Sequence, residues 1–111
     1  MRNSFTTRGP KTYVSLIDAL RKVTLMPARR LEGRVPAMRD KGRIRVGADA
    51  DLTIFDPSRI IDRATYREPS LPADGIQYVV VNGTPIVRGG ALVKGVTPGR
   101  GVRGPIMAGS K

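Results

Sequence analysis

Histidine and cysteine are both absent from this 111-residue chain, and each absence excludes a class of site. Without histidine, the chain has no imidazole to bind a metal, act as a general base or titrate near neutral pH. Without cysteine, it has neither a disulfide framework nor a thiolate metal site, a composition that fits the cytoplasm. We therefore expect no catalytic, cofactor-binding or metal-binding residue in this chain.

Long apolar runs are missing as well. No stretch approaches the ~20 apolar residues that a membrane-spanning helix needs, and no early run has signal-peptide length. Aromatic residues make up only 5% of the chain, so any core must be built mainly from aliphatic side chains. Thirteen glycines and nine prolines indicate many turns and short elements rather than a long helical bundle.

Acidic residues are outnumbered, and the excess of positive charge is uneven. The net charge is +11, and residues 1–45 contribute +9 of it, from 12 basic and 3 acidic side chains. A basic half of this kind can bind nucleic acid or can be a solvated or partner-facing surface. We favour the second interpretation, because the chain lacks aromatic stacking platforms and known nucleic-acid-binding patterns. Nucleic acid stays an alternative partner.

The N-terminal third of the chain predicts a flexible basic arm over residues 1–13, followed by two short helices. Ser15 can cap the first helix, and Asp18 can reach back to it as in a capping box. Pro27 should end that helix near residue 25 and start a second one over residues 27–32, because a first-turn proline needs no N–H. The first helix carries an apolar stripe of Leu16, Ile17, Leu20 and Val23.

The hydrophobic period changes from helical to strand-like after Gly42. Alternation over residues 43–46 predicts a half-buried strand, and a turn over residues 47–51 separates it from a second strand at residues 52–55. Residues 57–75 form a long connection, with one helical turn expected near residues 60–64.

A β-hairpin is the clearest local signal. Asn82 and Gly83 separate two β-branched runs and favour a type I′ turn, because both residues tolerate positive φ. Residues 77–81 and 84–88 are the predicted strands, and residues 91–94 add a third to the meander. Pro85 cannot donate a ladder hydrogen bond, so its strand should be an edge at that point or contain a bulge.

Three blocks together resemble a known family: residues 24–31, residues 41–56 and residues 79–90. Their order and spacing are similar to the C-terminal portion of the amidohydrolase superfamily, in the N-acyl-D-amino-acid deacylase and dihydroorotase-like branch. Residues 61–66 and 98–100 point to the deacylases. The resemblance covers roughly residues 15–103.

The resemblance implies an α+β fold that is mainly β after a helical N-terminal segment. Residues 14–103 would be a partial β-sandwich of the family's composite domain, without the (β/α)8 barrel, and residues 104–111 a disordered tail. The first helix resembles the last helix of that barrel. The family's zinc ligands and proton-transfer Asp lie in upstream motifs, so the resemblance assigns no catalytic, metal or cofactor residue here.

The remaining candidate side chains each have a structural interpretation that we favour. Asp49 and Asp51 could bind a hard cation, but we expect them to stabilise a turn. Asp18 and Asp56 are interpreted as capping and strand-end residues. A basic set could grip phosphate, and a loose Arg/Gly tail over residues 99–104 could touch RNA. The basic set comprises Arg29, Arg30, Arg34, Arg39, Lys41, Arg43 and Arg45, with Arg43 and Arg45 expected on one strand face.

Three functions remain open at this point. The favoured one is a non-catalytic C-terminal domain of an amidohydrolase-like protein, with a structural or assembly role and no activity by itself. The first alternative is a subunit of a split amidohydrolase whose barrel is a separate chain. The second is a small basic nucleic-acid-binding protein. A homo-oligomer is the expected assembly.

Overall fold

The computed structural model describes residues 14–106, which form two short helices and one antiparallel sheet. Helices α1 (Leu16–Val23) and α2 (Leu25–Leu31) precede a 3-10 helix (Pro36–Asp40). The sheet has the strand order β1-β2-β3-β4. Its strands are β1 (Leu52–Phe55), β2 (Ile76–Val81), β3 (Thr84–Arg88) and β4 (Ala91–Leu92). The predicted α+β fold is confirmed, and this part of the chain contains no barrel.

Helix α1 begins where the sequence predicted. Ser15 has an extended backbone, and its hydroxyl oxygen accepts the Asp18 N–H at 3.2 Å. Asp18 closes the motif by accepting the Ser15 hydroxyl at 2.6 Å, whereas a capping box would use the Ser15 backbone N–H. The first of these bonds satisfies a backbone N–H that the first turn of a helix otherwise leaves unpaired, and the second holds the Ser15 side chain in place.

The boundary between the two helices lies earlier than predicted. Helix α1 ends at Val23, and α2 begins at Leu25 with Pro27 as its third residue. Thr24 explains the early switch, because its N–H and its hydroxyl both donate to the Leu20 carbonyl, at 3.0 Å and 2.7 Å. Its own carbonyl then accepts the Ala28 N–H at 3.3 Å, so a single residue ends one helix and starts the next.

Two predicted elements are wrong. Residues 43–46 form no strand, and Ile44 and Val46 are almost fully exposed. The alternation comes instead from Arg43 and Arg45, whose guanidinium groups bind acidic residues of the helical region. The helical turn expected near residues 60–64 is absent too, since the chain turns earlier at residues 57–59, where the Ile60 N–H donates to the Asp56 carbonyl at 2.9 Å.

The hairpin prediction is confirmed. Asn82 has φ 50° and Gly83 has φ 78°, as a type I′ turn requires. Val79 pairs with Val87 but Val80 pairs with Pro85, so β3 contains one extra residue, which is the bulge that the proline predicted. The third strand of the meander is shorter than expected and covers only residues 91–92.

Strand β1 extends the meander to four strands by pairing antiparallel with β2. Residues 57–75 connect these two strands, and an isolated bridge between Ile61 and Asp74 closes this connection at its base.

Very few residues of the described chain are buried from solvent. Ala28, at 2% exposure, is the only buried residue between positions 14 and 106. On α1, Ile17 and Val23 remain 65% and 64% exposed, and Ile54 of β1 is 53% exposed. A folded domain normally covers such aliphatic side chains. Helix and sheet therefore present apolar faces that residues 14–106 do not cover by themselves.

The predicted arm at residues 1–13 and the tail residues 107–111 lie outside the described residues, while residues 104–106 have no regular structure. A Cβ built on Gly104 would lie 3.3 Å from the Arg34 carbonyl oxygen, so this segment runs beside the helical region. In the described part of the chain, every helix is too short or too polar to cross a bilayer.

Candidate functional site

A charged cluster joins the helical region to the tip of the hairpin. The Lys41 ammonium lies 3.0 Å from Asp49 Oδ2 and 2.5 Å from Asp51 Oδ2. The second oxygen of Asp51 accepts the Asn82 backbone N–H at 2.7 Å, across 31 positions of sequence. We call Lys41, Asp49, Asp51 and the Asn82 N–H the Lys41 cluster. It connects three segments that are distant in sequence.

Backbone contacts hold the Lys41 cluster in place. The Asp49 N–H donates to the Asp40 carbonyl at 3.0 Å, and the Gly83 N–H donates to the Ala50 carbonyl at 3.0 Å. Next to Lys41, Gly42 has φ 67°, and a Cβ there would lie 2.5 Å from the Thr24 carbonyl oxygen. Only glycine fits this close approach of the loop to the α1–α2 junction.

The charges of the Lys41 cluster stabilise one another. The hydrogen bond to Asp51 is the main cause that raises the Lys41 pKa; burial lowers it by less, and the bond to Asp49 raises it further. The same Lys41–Asp51 bond lowers the pKa of Asp51, and the Asn82 N–H lowers it further. Both groups are therefore ionised across the neutral range, and neither can exchange a proton near pH 7.

The two aspartates act structurally rather than as a cation site. Lys41 occupies the position between Asp49 and Asp51 that a bound cation would need. Within residues 14–106, no group of three or more Asp, Glu, His or Cys side chains could hold a metal ion. The predicted turn stabilisation needs one correction, because the Asp51 side chain accepts its backbone N–H from the hairpin rather than inside its own turn.

A cleft of about 420 Å³ lies beside the Lys41 cluster. The cluster lines one part of it, and residues 99–102 of the Arg/Gly segment line another. Arg100 is the remaining charged residue of this lining. The cleft offers no nucleophile paired with a base, so the arrangement can position backbone and exclude some water but supplies no evident catalytic group.

Three of the seven basic residues that could grip phosphate form ion pairs with acidic residues of the same chain instead. Lys41 belongs to the cluster. Arg43 binds Glu32 at 2.9 Å, and Arg45 binds Asp40 at 2.8 Å. Arg43 also donates to the Lys41 carbonyl at 3.0 Å, which keeps it against the loop. The shared strand face expected for Arg43 and Arg45 does not exist. Within the described ranges, ion pairs are absent from the other four members, Arg29, Arg30, Arg34 and Arg39.

The last two acidic candidates have local roles. Asp18 completes the cap of α1, as predicted. Asp56 ends β1 and accepts both the hydroxyl and the N–H of Ser58, at 2.6 Å and 2.9 Å. The hydroxyl and then the N–H of Ser58 lower the Asp56 pKa, so this carboxylate stays ionised and holds the turn that follows the strand.

The other candidate surface is mainly apolar. A groove of about 330 Å³ lies between α1 and β1, and we call it the α1–β1 groove. Leu20 and Thr24 line it from the helical side, and Leu52 and Phe55 line it from the sheet. Strand β1 is one of the two outer strands, with β2 as its only strand neighbour within residues 14–106. A groove beside a sheet edge is a common place for another protein segment to dock.

Sequence reasoning found the α1 stripe and both aspartates but missed that Lys41 binds both aspartates. Local spacing rules do not reach this contact, because Asp51 lies ten positions after Lys41 and meets it across a loop.

The comparisons with known proteins agree with one another. The pattern that defines the Amidohydrolase family matches residues 1–87. N-acyl-D-glutamate deacylase of Alcaligenes xylosoxydans xylosoxydans is 43% identical over 70 residues, which are 63% of this chain and 13% of that protein. N-acyl-D-aspartate deacylase of the same organism is 36% identical over 70 residues, again 63% of this chain and 13% of the relative.

A solved structure supports the same grouping. The crystal structure of a D-aminoacylase, described as defining a novel subset of amidohydrolases, superposes with a TM-score of 0.69 at 31% sequence identity. The match covers 80% of this chain and 18% of that one. The chain thus spans about an eighth of the length of the curated deacylases, at 13% of each.

Proposed function

Because the chain belongs to the amidohydrolase family, in its D-aminoacylase-like branch, we propose that it is a non-catalytic C-terminal portion of such an enzyme. Its role would be to pack against the portion that carries the catalytic metal site and to support it. The family resemblance read from the sequence is confirmed, and the role is our proposal.

The exposed apolar surface is the observation that supports this role most directly. The α1 stripe beside the α1–β1 groove contains aliphatic side chains that are about two-thirds exposed, Ile17 and Val23, and Ile54 of β1 is half exposed. Burial of apolar surface contributes roughly 25 cal/mol per Å², so a partner that covers several hundred Å² gains several kcal/mol. A catalytic portion of the same enzyme type is the partner that the family match suggests.

The metal chemistry would come from that partner. The zinc that the resemblance implies for the family finds no suitable donor set in residues 14–106, because the chain has no histidine and Asp49 and Asp51 already bind Lys41. The whole enzyme would hydrolyse the C–N bond of an N-acyl-D-amino acid, the substrate class named by the relatives. The compartment that we propose is the cytoplasm, since the chain has no cysteine to oxidise.

Reconstitution tests this proposal. N-acyl-D-glutamate deacylase, truncated to remove the region that matches this chain, would be co-expressed with the chain and supplied with zinc. Release of D-glutamate from N-acetyl-D-glutamate and co-purification of the two chains are the measurements. We expect both to depend on the added chain.

Two matched variants identify the surface. Ile17→Glu places a charge in the α1 stripe, and Ile106→Glu makes the same change at a 98% exposed position that is not part of it. We expect Ile17→Glu to abolish co-purification and Ile106→Glu to preserve it. No complex and no gain in turnover with the wild-type chain would contradict the proposal, and equal behaviour of the variants would exclude this surface.

A further inference from the structure

The hairpin tip contains an asparagine followed directly by glycine, which is the pair most prone to spontaneous deamidation. Asn82 and Gly83 are both exposed, and no atom lies within 4 Å of the position that a Cβ on Gly83 would take. The turn therefore lies at the surface, where water and hydroxide can reach it once the Gly83 N–H is released from its hydrogen bond. A residue with a side chain at this position would obstruct the attack that glycine allows.

Two hydrogen bonds restrain the Asn82-Gly83 turn in the folded chain. The Asn82 N–H donates to Asp51 Oδ1 at 2.7 Å, and the Gly83 N–H donates to the Ala50 carbonyl at 3.0 Å. Both acceptors lie on neighbouring residues, and Lys41 holds that segment through Asp51. To react, the Gly83 nitrogen must lose its proton and rotate towards the Asn82 side chain, which breaks the bond to Ala50.

We propose that Asn82-Gly83 is a deamidation site and that the Lys41–Asp51 ion pair sets its rate by holding the turn closed. The rate of deamidation at Asn82 would then depend on how often the hairpin tip separates from residues 50 and 51. This inference does not depend on the function proposed above.

The chemistry needs only water. The Gly83 nitrogen gives its proton to hydroxide and attacks Cγ of Asn82, so that a C–N bond forms. The bond from Cγ to the side-chain nitrogen then breaks, and that nitrogen takes a proton from water and leaves as ammonia. The cyclic imide that results takes up one water molecule at either carbonyl. The product is aspartate, or isoaspartate with the chain continuing through Cβ and Cγ.

Aspartate or isoaspartate at position 82 would weaken the contact between the hairpin tip and Asp51, which slows the reaction in the intact chain. A carboxylate at position 82 adds negative charge close to Asp51 and Asp49, which share a single lysine. Isoaspartate also adds one carbon to the backbone of a two-residue turn, whose length fixes the register of β2 and β3. Reaction at this position should therefore loosen the junction between the hairpin and residues 49–51.

The experiment follows the whole chain during incubation in mildly alkaline buffer at physiological temperature. Peptide mass spectrometry separates Asn, Asp and isoAsp at position 82, and the urea-unfolded chain gives the unrestrained rate. Asp51→Asn removes the charged acceptor with little change in shape, and the bulky Leu52 after it makes the new asparagine slow to react. A hydrogen bond to a charged acceptor is roughly twice as strong as one to the neutral amide that replaces it, so we expect a severalfold faster reaction at Asn82.

Asp62→Asn is the matched control, because Asp62 is exposed and accepts only the local Ala64 N–H among the described contacts. Its rate at Asn82 should equal that of the wild type. Lys41→Met keeps the Asp51 carboxylate but frees it, and should give an intermediate rate. If circular dichroism shows that Asp51→Asn is unfolded, the Lys41→Met rate decides. Equal rates in wild type and in the folded cluster variants, or no product at Asn82 while the unfolded chain reacts, would overturn the proposal.

Discussion

Gly42 offers the sharpest test of how the helical region contacts the rest of the chain. A methyl group at this position would lie 2.5 Å from the Thr24 carbonyl oxygen and 2.8 Å from its carbon. Both atoms belong to the backbone at the α1–α2 junction, so no side-chain rotation can relieve the contact. Gly42→Ala should therefore displace either the loop or the junction.

The magnitude follows from two separable terms. Gly42 has φ 67°, where an alanine costs about 1–2 kcal/mol, and forcing extra atoms into occupied space costs about 1–3 kcal/mol more. Gly47 is the matched control, because it has φ 85° but no atom within 4 Å of its Cβ position. Gly47→Ala has only the first term, and the entropy that alanine removes from the unfolded chain is common to both variants.

Urea denaturation followed by circular dichroism measures both variants at one protein concentration, since association would shift the midpoint. The expected losses of unfolding free energy are about 2–5 kcal/mol for Gly42→Ala and about 1–2 kcal/mol for Gly47→Ala. Equal losses would refute the close contact between loop and helix junction, and with it the described placement of Lys41.

Further outcomes follow from the same structure. The chain alone should give no zinc-dependent turnover of N-acyl-D-amino acids, and turnover that a chelator abolishes in pure protein would contradict this. At micromolar concentration it should self-associate through its exposed apolar faces, and Leu20→Glu should shift sedimentation towards monomer; a wild-type monomer that melts cooperatively would refute this. Gly83→Val should cost about 1–3 kcal/mol, and unchanged melting would exclude the type I′ turn. Because the Asp51 pKa is lowered on folding, its stabilisation is present above its ordinary pKa of 3.8 and is lost as pH falls through the lower folded value. Because the Lys41 pKa is raised, its share is present below 10.5 and is lost as pH rises through the higher folded value, and Lys41→Met should flatten both limbs of the stability curve.

Local signals explain the parts of the fold that the sequence predicted correctly. The Ser15 cap, the strand at residues 52–55 and the Asn82-Gly83 turn each depend on side chains within a few positions of one another. Such short-range preferences can be read without knowledge of the rest of the chain. The family resemblance supplied the wider architecture, which the D-aminoacylase superposition supports.

Side-chain contacts outside helix and strand spacing explain two of the errors. The alternating pattern at residues 43–46 satisfied the rule for a strand, yet Arg43 and Arg45 are spaced to reach Glu32 and Asp40. The Lys41 cluster was equally inaccessible, because one of its bonds spans 31 positions. No periodicity encodes such distances, and only the folded chain brings these groups together.

The closed base of the connection between β1 and β2 makes this region suitable for protein engineering. Ile61 and Asp74 exchange two backbone hydrogen bonds, at 3.1 Å and 3.0 Å, and Arg63 binds Asp74 at 3.1 Å. Beyond this neck, residues 62–73 are all exposed. Doubling the length of a flexible loop costs only about 0.6 kcal/mol, so a peptide tag or a fluorophore site inserted near Tyr66 should leave the sheet in register. The loop would then report on assembly from outside both candidate surfaces.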